Sequence, residues 1–207
     1  ASVILTLMHR EAKSAVIVCP AMARKVWIKE LARWWPGHPD VTLCDTGAKA
    51  RAATSPLQVV SYGLLTHLPP RKGVPAAIIL DEIHYLMNPS SRRSKAVKDL
   101  CERYPDAFRA GMTGTIFTNQ PSSAWNPLDT LWPGRAGTYF KWNKRYTDAY
   151  HNGYGWEFQG LNKDNADELR HRMQHMASRV TKADVSHLLP EFTTQNVYLV
   201  KDRVTDA

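Results

Sequence analysis

Apolar residues along this chain gather in short runs, and helix-like patterns separate the runs. Residues 15–19 (AVIVC) read as a buried strand that Pro20 ends. Over 22–35, Trp27, Leu31, Trp34 and Trp35 recur at helical spacing until Pro36–Gly37 stops the pattern. VTLCD (41–45) and QVVSY (58–62) are the next strands, joined by a short Ala/Arg-rich connection. A weak helix, GLLTHL, leads through the loop PPRKGVP into AAIIL (76–80), again a buried strand. Ser90 or Ser91 then caps a helix with Ala96, Val97, Leu100, Cys101 and Tyr104 on its apolar face. Phe108–Met112 is a further strand, running into Thr113–Gly114–Thr115. Strands alternating with helices predict an α/β fold with a mainly parallel sheet wrapped by helices.

The texture changes after about Asn119. Residues 120–160 are rich in aromatics, Pro and Gly and carry few strand signals. Residues 165–180 read as a helix: Asn165 with Glu168 resembles a capping box, and Leu169, Met173, Met176 and Val180 share one face. A terminal strand, NVYLV (196–200), follows Pro190. The expected organisation is therefore a core of residues 1–119 and an extension of residues 120–207 that ends in a helix and a strand.

Composition narrows the classes. The chain has 207 residues, 43% hydrophobic and 22% charged, ordinary for a globular domain. No stretch approaches the roughly 20 apolar residues of a membrane span, and the first residues lack the pattern of a signal peptide. The three cysteines, Cys19, Cys44 and Cys101, form no CxxC pair, which fits a reducing cytoplasm, or a nucleus if the source is eukaryotic. Lys plus Arg is 27 against 19 for Asp plus Glu, a net charge of +8 that favours a polyanion such as DNA.

The chemistry concentrates at residues 81–84, DEIH, directly after the AAIIL strand. In open α/β sheets the carboxyl ends of strands are where ligands bind. An acidic pair there suits nucleotide hydrolysis: Asp81 would hold Mg²⁺ through water, and Glu82 would position or deprotonate the attacking water. The other readings are a solvated acidic pair with His84 as a loop histidine, or a metal site built from Asp81, Glu82 and His84. HExxH is absent and no further ligand cluster stands at suitable spacing. Thr113, Gly114 and Thr115 supply two hydroxyls and a close-approach glycine where another strand ends, suited to relaying the state of a nucleotide.

Pro20, Ala21, Arg24 and Lys25 lie where a strand gives way to a helix, so exposed amides and basic side chains there suit a phosphate backbone. Ser61 and Tyr62 close another strand and could meet the same track. Simple helix capping would explain each equally well. The basic run Arg92, Arg93, Lys95 and Lys98 reads as a solvated helix face, and Trp27, Trp34 and Trp35 read as core.

VIVCPAMARKVWIKELARWWPG, VVSYGLL, IILDEIHYLMNPSSRRSKAV and AGMTGTIFTNQPSSAWNPLDTLWPG resemble, in sequence and order, the first motor lobe of Swi/Snf-type ATPases of helicase superfamily two. The later segment resembles that lobe's tail, and the Gly-Trp stretch 153–160 is similar to the annealing-helicase (HARP-like) branch. The resemblance implies a RecA-like, P-loop NTPase type of sheet, ATP and Mg²⁺ as cofactors, and DNA, double-stranded or branched, as partner. It implies that Asp81 and Glu82 are the hydrolytic carboxylates and that His84 couples hydrolysis to DNA. Thr113–Gly114–Thr115 would be the coupling motif, and Pro20, Ala21, Ser61 and Tyr62 would line the DNA-tracking surface. A second motor lobe of a longer chain would complete the machine.

Departures from the family pattern set further expectations. Ile116 stands where TGTP has proline, and Val180 stands where a second arginine is common. No GxxxxGK[ST] occurs, so the phosphate loop and its strand would precede Ala1. This segment alone should then not turn over ATP. The competing expectations are a non-catalytic nucleic-acid-binding module and a metal-dependent hydrolase centred on Asp81, Glu82 and His84.

Overall fold

The computed structural model describes residues 1–115, 120–181, 183–185 and 187. Ile116, Pro190 and the expected terminal strand 196–200 lie outside the described residues. By chain contacts the protein divides into Ala1–Ala166 and Asp167–Ala207.

Within the first unit, α1 (Ser2–His9) precedes β1 (Ala15–Cys19), and a 3-10 turn, Ala21–Ala23, leads into α2 (Arg24–Trp34). Then come β2 (Val41–Cys44), α3 (Gly47–Arg51), β3 (Leu57–Ser61) and β4 (Ala77–Asp81). A 3-10 turn, Ile83–Leu86, separates β4 from α4 (Arg92–Arg103), after which β5 (Phe108–Met112) completes a five-stranded parallel sheet of order β2-β3-β1-β4-β5.

The strand pattern explains the layers. Because side chains alternate across a strand, Val16, Val18, Ile78 and Leu80 enter one core with Leu86, Val97, Leu100 and Tyr104. Ala15, Ile17, Cys19 and Ile79 enter the opposite core with Ile4, Leu7, Trp27 and Leu31. Both faces are covered, so β1 and β3 are buried at every position, as a parallel sheet demands. Of the six strands expected from the sequence, the five that fall on described residues form at the expected places, within about a residue or two at their ends.

The helix of the basic run also forms as expected. Ser91 caps α4, its hydroxyl accepting the Ser94 N–H at 3.2 Å, and Ala96, Val97, Leu100, Cys101 and Tyr104 are its buried face. Arg92, Arg93, Lys95 and Lys98 are exposed.

Differences appear at weaker signals. GLLTHL gives only a 3-10 turn, Leu65–His67, and the Ala/Arg-rich connection folds as α3, capped by Thr46. Residues 120–160 are more ordered than their composition suggested. They form α5 (Ser122–Leu131), α6 (Tyr139–Tyr146) and an antiparallel hairpin of β6 (Asp148–His151) and β7 (Trp156–Gln159). α5 is tied to the sheet side by Asn126 Nδ2 donating to the Leu86 carbonyl at 2.6 Å and by Arg109 donating to the Thr130 carbonyl at 3.1 Å. Trp142 of α6 donates to the Pro121 carbonyl at 2.9 Å. The hairpin escapes a reading from apolar runs because β6 and β7 are short and largely exposed.

The last α-helix among the described residues is α7 (Ala166–Met176), with Leu169 and Met173 buried. It stops short of Val180, which is 70% exposed. Asn165 does not build the expected box: its amide donates to the Arg145 carbonyl at 2.8 Å, while Asn162 caps the preceding 3-10 turn through the Asp164 N–H.

Candidate nucleotide and nucleic-acid site

The ends of β4 and β5 create the site. Asp81 pairs with Met112 in register, which sets Thr113 beside Glu82. Glu82 then leaves the sheet in the left-handed region, φ +52° and ψ +54°. A non-glycine residue there is strained, and such strain gathers where function fixes a side chain. Ile83 turns into the core at 2% exposure and anchors the turn.

Three polar side chains close on one another. His84 Nδ1 is 3.0 Å from Glu82 Oε2 and 2.9 Å from Thr113 Oγ1, and Thr113 Oγ1 is 3.2 Å from Glu82 Oε2. A bare nitrogen lone pair facing a carboxylate oxygen would be repulsive, so Nδ1 carries a proton shared between the two oxygens. Thr113 also accepts the Thr115 N–H at 3.0 Å, and its own proton has Glu82 Oε2 or the Thr115 carbonyl to meet. The hydroxyl is therefore fully used. The imidazole stacks on Tyr85 with ring centres 5.0 Å apart, and Arg93 covers Tyr85 at 4.9 Å.

The close-approach glycine is not the expected one. A Cβ on Gly114 would meet nothing within 4 Å, whereas one on Gly111 would lie 2.7 Å from Ile83 Cδ1 and 3.0 Å from Leu131 Cδ1. Gly111 sits inside β5 against Ile83 of the turn after Glu82, so the steric need falls three residues earlier.

Asp81 is held from two sides. Trp27 Nε1 donates to Asp81 Oδ2 at 2.9 Å, and the Tyr62 hydroxyl donates to the Asp81 backbone carbonyl at 2.8 Å. Burial, then the Asp81 charge, pushes the Tyr62 hydroxyl far above its ordinary range. The same two causes push the Cys19 thiol up to about 12, with Arg24 opposing them. Helical spacing alone marks Trp27 as core, and it is buried at 8% exposure. The available signal was that a buried indole N–H needs an acceptor.

A cavity of about 190 Å³ opens beside Asp81, lined also by Ala1, Val3, Trp27, Glu30 and Met112. That is below the roughly 300–1,000 Å³ of clefts that take whole small molecules. Its carboxylate oxygens suit a hard cation such as Mg²⁺. The residues present thus fit the metal end of a nucleotide site. Among the described residues, no group of three His, Cys, Asp or Glu side chains could hold a metal, so Asp81, Glu82 and His84 do not form the alternative metal centre.

The residues expected at a nucleic-acid track all lie at the carboxyl ends of β1 and β3, with unequal access. Ala21 and Lys25 are exposed and Pro20 is half-buried. Arg24 is turned inward, donating from Nε to the Ala21 carbonyl at 3.0 Å and from a terminal nitrogen to the Cys44 carbonyl at 2.9 Å. It braces the ends of strands instead of standing free. Ser61 and Tyr62 are buried at 6% and 7% exposure, and the Tyr62 hydroxyl is spent on Asp81. The side chains left open at this edge are those of Ala21, Met22 and Lys25, with Met22 86% exposed.

A parallel sheet with an acidic pair at the carboxyl end of a central strand, linked to a Thr-Gly-Thr at the next strand, is the RecA-like arrangement expected from the sequence. The chain belongs to the SNF2-related domain family, whose profile matches residues 2–204. It is 25% identical over 207 residues to the DNA annealing helicase and endonuclease ZRANB3 of Homo sapiens, covering 93% of this chain and 19% of that protein. It is also 25% identical over 210 residues to a SWI/SNF-related matrix-associated actin-dependent regulator of chromatin subfamily A-like protein 1 of Xenopus tropicalis, covering 99% of this chain and 22% of that one. The chain thus spans about a fifth of the length of these relatives. In fold it matches the Sulfolobus solfataricus SWI2/SNF2 ATPase core in complex with dsDNA at a TM-score of 0.67 and 24% identity, over 89% of this chain and 37% of that one.

Proposed function

We propose that this chain is the first motor lobe of a DNA-dependent ATPase that couples ATP hydrolysis to movement on, or remodelling of, double-stranded DNA. Residues 1–119 are its core and 120–207 its extension, and a second lobe of the same longer polypeptide completes the site. The observation that carries the reading is the bridge from Glu82 through His84 to Thr113, which joins the acidic pair to the neighbouring strand end.

Mg²⁺ on the triphosphate would neutralise charge that develops on the transferring phosphoryl group. Asp81 would hold that ion through water, its carboxylate kept in orientation by Trp27 and its backbone by Tyr62. Glu82 would position the attacking water or take its proton. His84 and Thr113 hold the Glu82 carboxylate between them, so a shift at either reaches the hydrolytic group directly. On the DNA side, Pro20, Ala21 and Lys25 would meet phosphates, while Arg24, Ser61 and Tyr62 support that edge from beneath. The sequence lacks GxxxxGK[ST], so the chain by itself should bind DNA without hydrolysing ATP. Its three free, buried cysteines support a cytoplasmic or nuclear setting.

The test is ATP hydrolysis by the full reading frame containing this segment, with and without duplex or forked DNA, beside Glu82→Gln. Turnover that DNA stimulates and Glu82→Gln abolishes supports the motor. DNA binding with no turnover under any DNA would leave a non-catalytic binding module.

A further inference from the structure

The β6–β7 hairpin has no part in the carboxylate site, and it carries the most exposed aromatic surface of the described residues. Tyr154 at its tip is 100% exposed, Trp156 is 40% exposed, and Tyr139 and Phe140 on α6 are 41% and 43% exposed. Scattered exposed apolar residues need no explanation, but a cluster on one projecting element does. The tip is held rigidly. Asn152 Oδ1 accepts the N–H groups of Tyr154 and Gly155, both at 2.9 Å, and Gly153 takes φ +94°. Phe140 and His151 meet Trp156 edge-on, with ring centres 5.8 and 5.6 Å away. The indole is thus fixed in orientation while remaining accessible.

Charge is sorted across the hairpin. Register pairs His151 with Trp156 and Ala149 with Phe158, so these share one face. The other face pairs Tyr150 with Glu157 and Asp148 with Gln159, so both hairpin carboxylates lie away from Trp156. Glu157 is further occupied by Tyr150 Oη and Asn152 Nδ2, each at 2.6 Å. The hydrogen bond from Tyr150, first, and that from Asn152 hold its carboxyl below the usual range. On the Trp156 side, Lys144 Nζ lies 4.6 Å from the indole centre. Its helix, α6, carries Lys141, Lys144 and Arg145 and no acidic residue.

We propose that this face is a stacking platform for unpaired bases of single-stranded DNA, with Tyr154 and Trp156 against the bases and Lys144 beside the backbone. Aromatic faces next to cations suit a single strand, whose bases expose their π-faces, whereas a duplex hides them. A face that carries Lys144 and neither of the hairpin's carboxylates matches a polyanion better than the apolar core of a protein partner. The identity of the polyanion rests on the DNA reading above, while the platform's geometry stands apart from it.

The test uses the 207-residue chain with two fluorescein-labelled probes, an oligothymidylate and a mixed-sequence duplex, each followed by anisotropy. Tyr154→Ala and Trp156→Ala should each weaken oligothymidylate binding about five- to hundred-fold and leave the duplex unchanged. Lys144→Gln should lower the slope of single-strand affinity against salt by about 0.7. Trp156 packs on Phe140, so its variant could loosen the hairpin. Tyr154 is fully exposed, so its variant is free of that objection, and unchanged far-UV dichroism confirms it. Wild-type affinity in the Tyr154 variant, or an equal loss for both probes, overturns the proposal. If the wild type binds only duplex, the platform fails and the motor reading stands. If it binds only the single strand, and the variants lose it, the reverse holds.

Discussion

His84 Nδ1 lies 2.9 Å from Thr113 Oγ1 across 29 residues of sequence, and both groups reach the same Glu82 oxygen. Thr113→Val keeps the shape of the side chain and removes the hydroxyl that accepts from Thr115 and His84. A hydrogen bond to a charged group contributes about 1.5–3 kcal/mol, and 1.4 kcal/mol is tenfold in rate. DNA-stimulated hydrolysis by the full-length protein should fall about ten-fold or more, with ATP binding unchanged and Thr113→Ser restoring most of the rate. Steady-state turnover together with nucleotide titration checks this.

Trp27→Phe retains an aromatic ring in the core and deletes the N–H donated to Asp81 Oδ2. The carboxylate is half-buried, so water replaces part of what is lost. The chain should lose about 1 kcal/mol of stability. Urea unfolding of this variant beside Trp34→Phe measures it. Trp34 is 36% exposed, and its indole N–H donates to Glu30 on its own helix, so its variant should show the smaller change.

Gly111→Ala places a methyl 2.7 Å from Ile83 Cδ1 and 3.0 Å from Leu131 Cδ1. Both are flexible side-chain ends, so the cost should sit at the low end of the overpacking range, about 1 kcal/mol. For a chain of this length the melting temperature then drops by about 2–4 °C. Gly114→Ala meets nothing and should melt with the wild type. Equal melting of the two variants would contradict the packing described at the base of the site.

Alkali should destabilise the fold through groups that burial keeps protonated. The Cys19 thiol is pushed up to about 12 from an ordinary 9.0, and Tyr62 is pushed up from an ordinary 10.0. Once pH passes the unfolded values, the unfolded chain sheds protons that the folded chain keeps, so unfolding becomes more favourable as pH rises. Stability is untouched by these groups below about pH 8 and declines from about pH 9 upward. Cys19→Ala should show a shallower decline than the wild type in urea unfolding between pH 8 and pH 10.5. Cys19 should also resist disulfide reagents at pH 8 until the protein unfolds.

The local patterns were legible because they are short-range. β1, β3 and β4 were legible as nearly continuous apolar runs, since a strand buried on both faces carries few polar residues, whereas β2 and β5 are only partly buried and left weaker runs. The cap at Ser91 and the buried face of α4 followed from spacing in one helix. DEIH could be placed at the carboxyl end of a strand for the same reason. The hairpin could not, because β6 and β7 are largely exposed and carry no apolar run.

Local patterning along the chain carries the five parallel strands, the acidic pair at the end of β4 and the Thr-Gly-Thr after β5. Which groups meet depends on how those elements pack. That packing set Trp27 and Tyr62 on Asp81, turned Arg24 from an open phosphate contact into a brace, and moved the steric demand from Gly114 to Gly111. Secondary-structure periodicity is written within a few residues of chain. Hydrogen bonds between elements depend on sheet register and helix docking, which many distant residues set together.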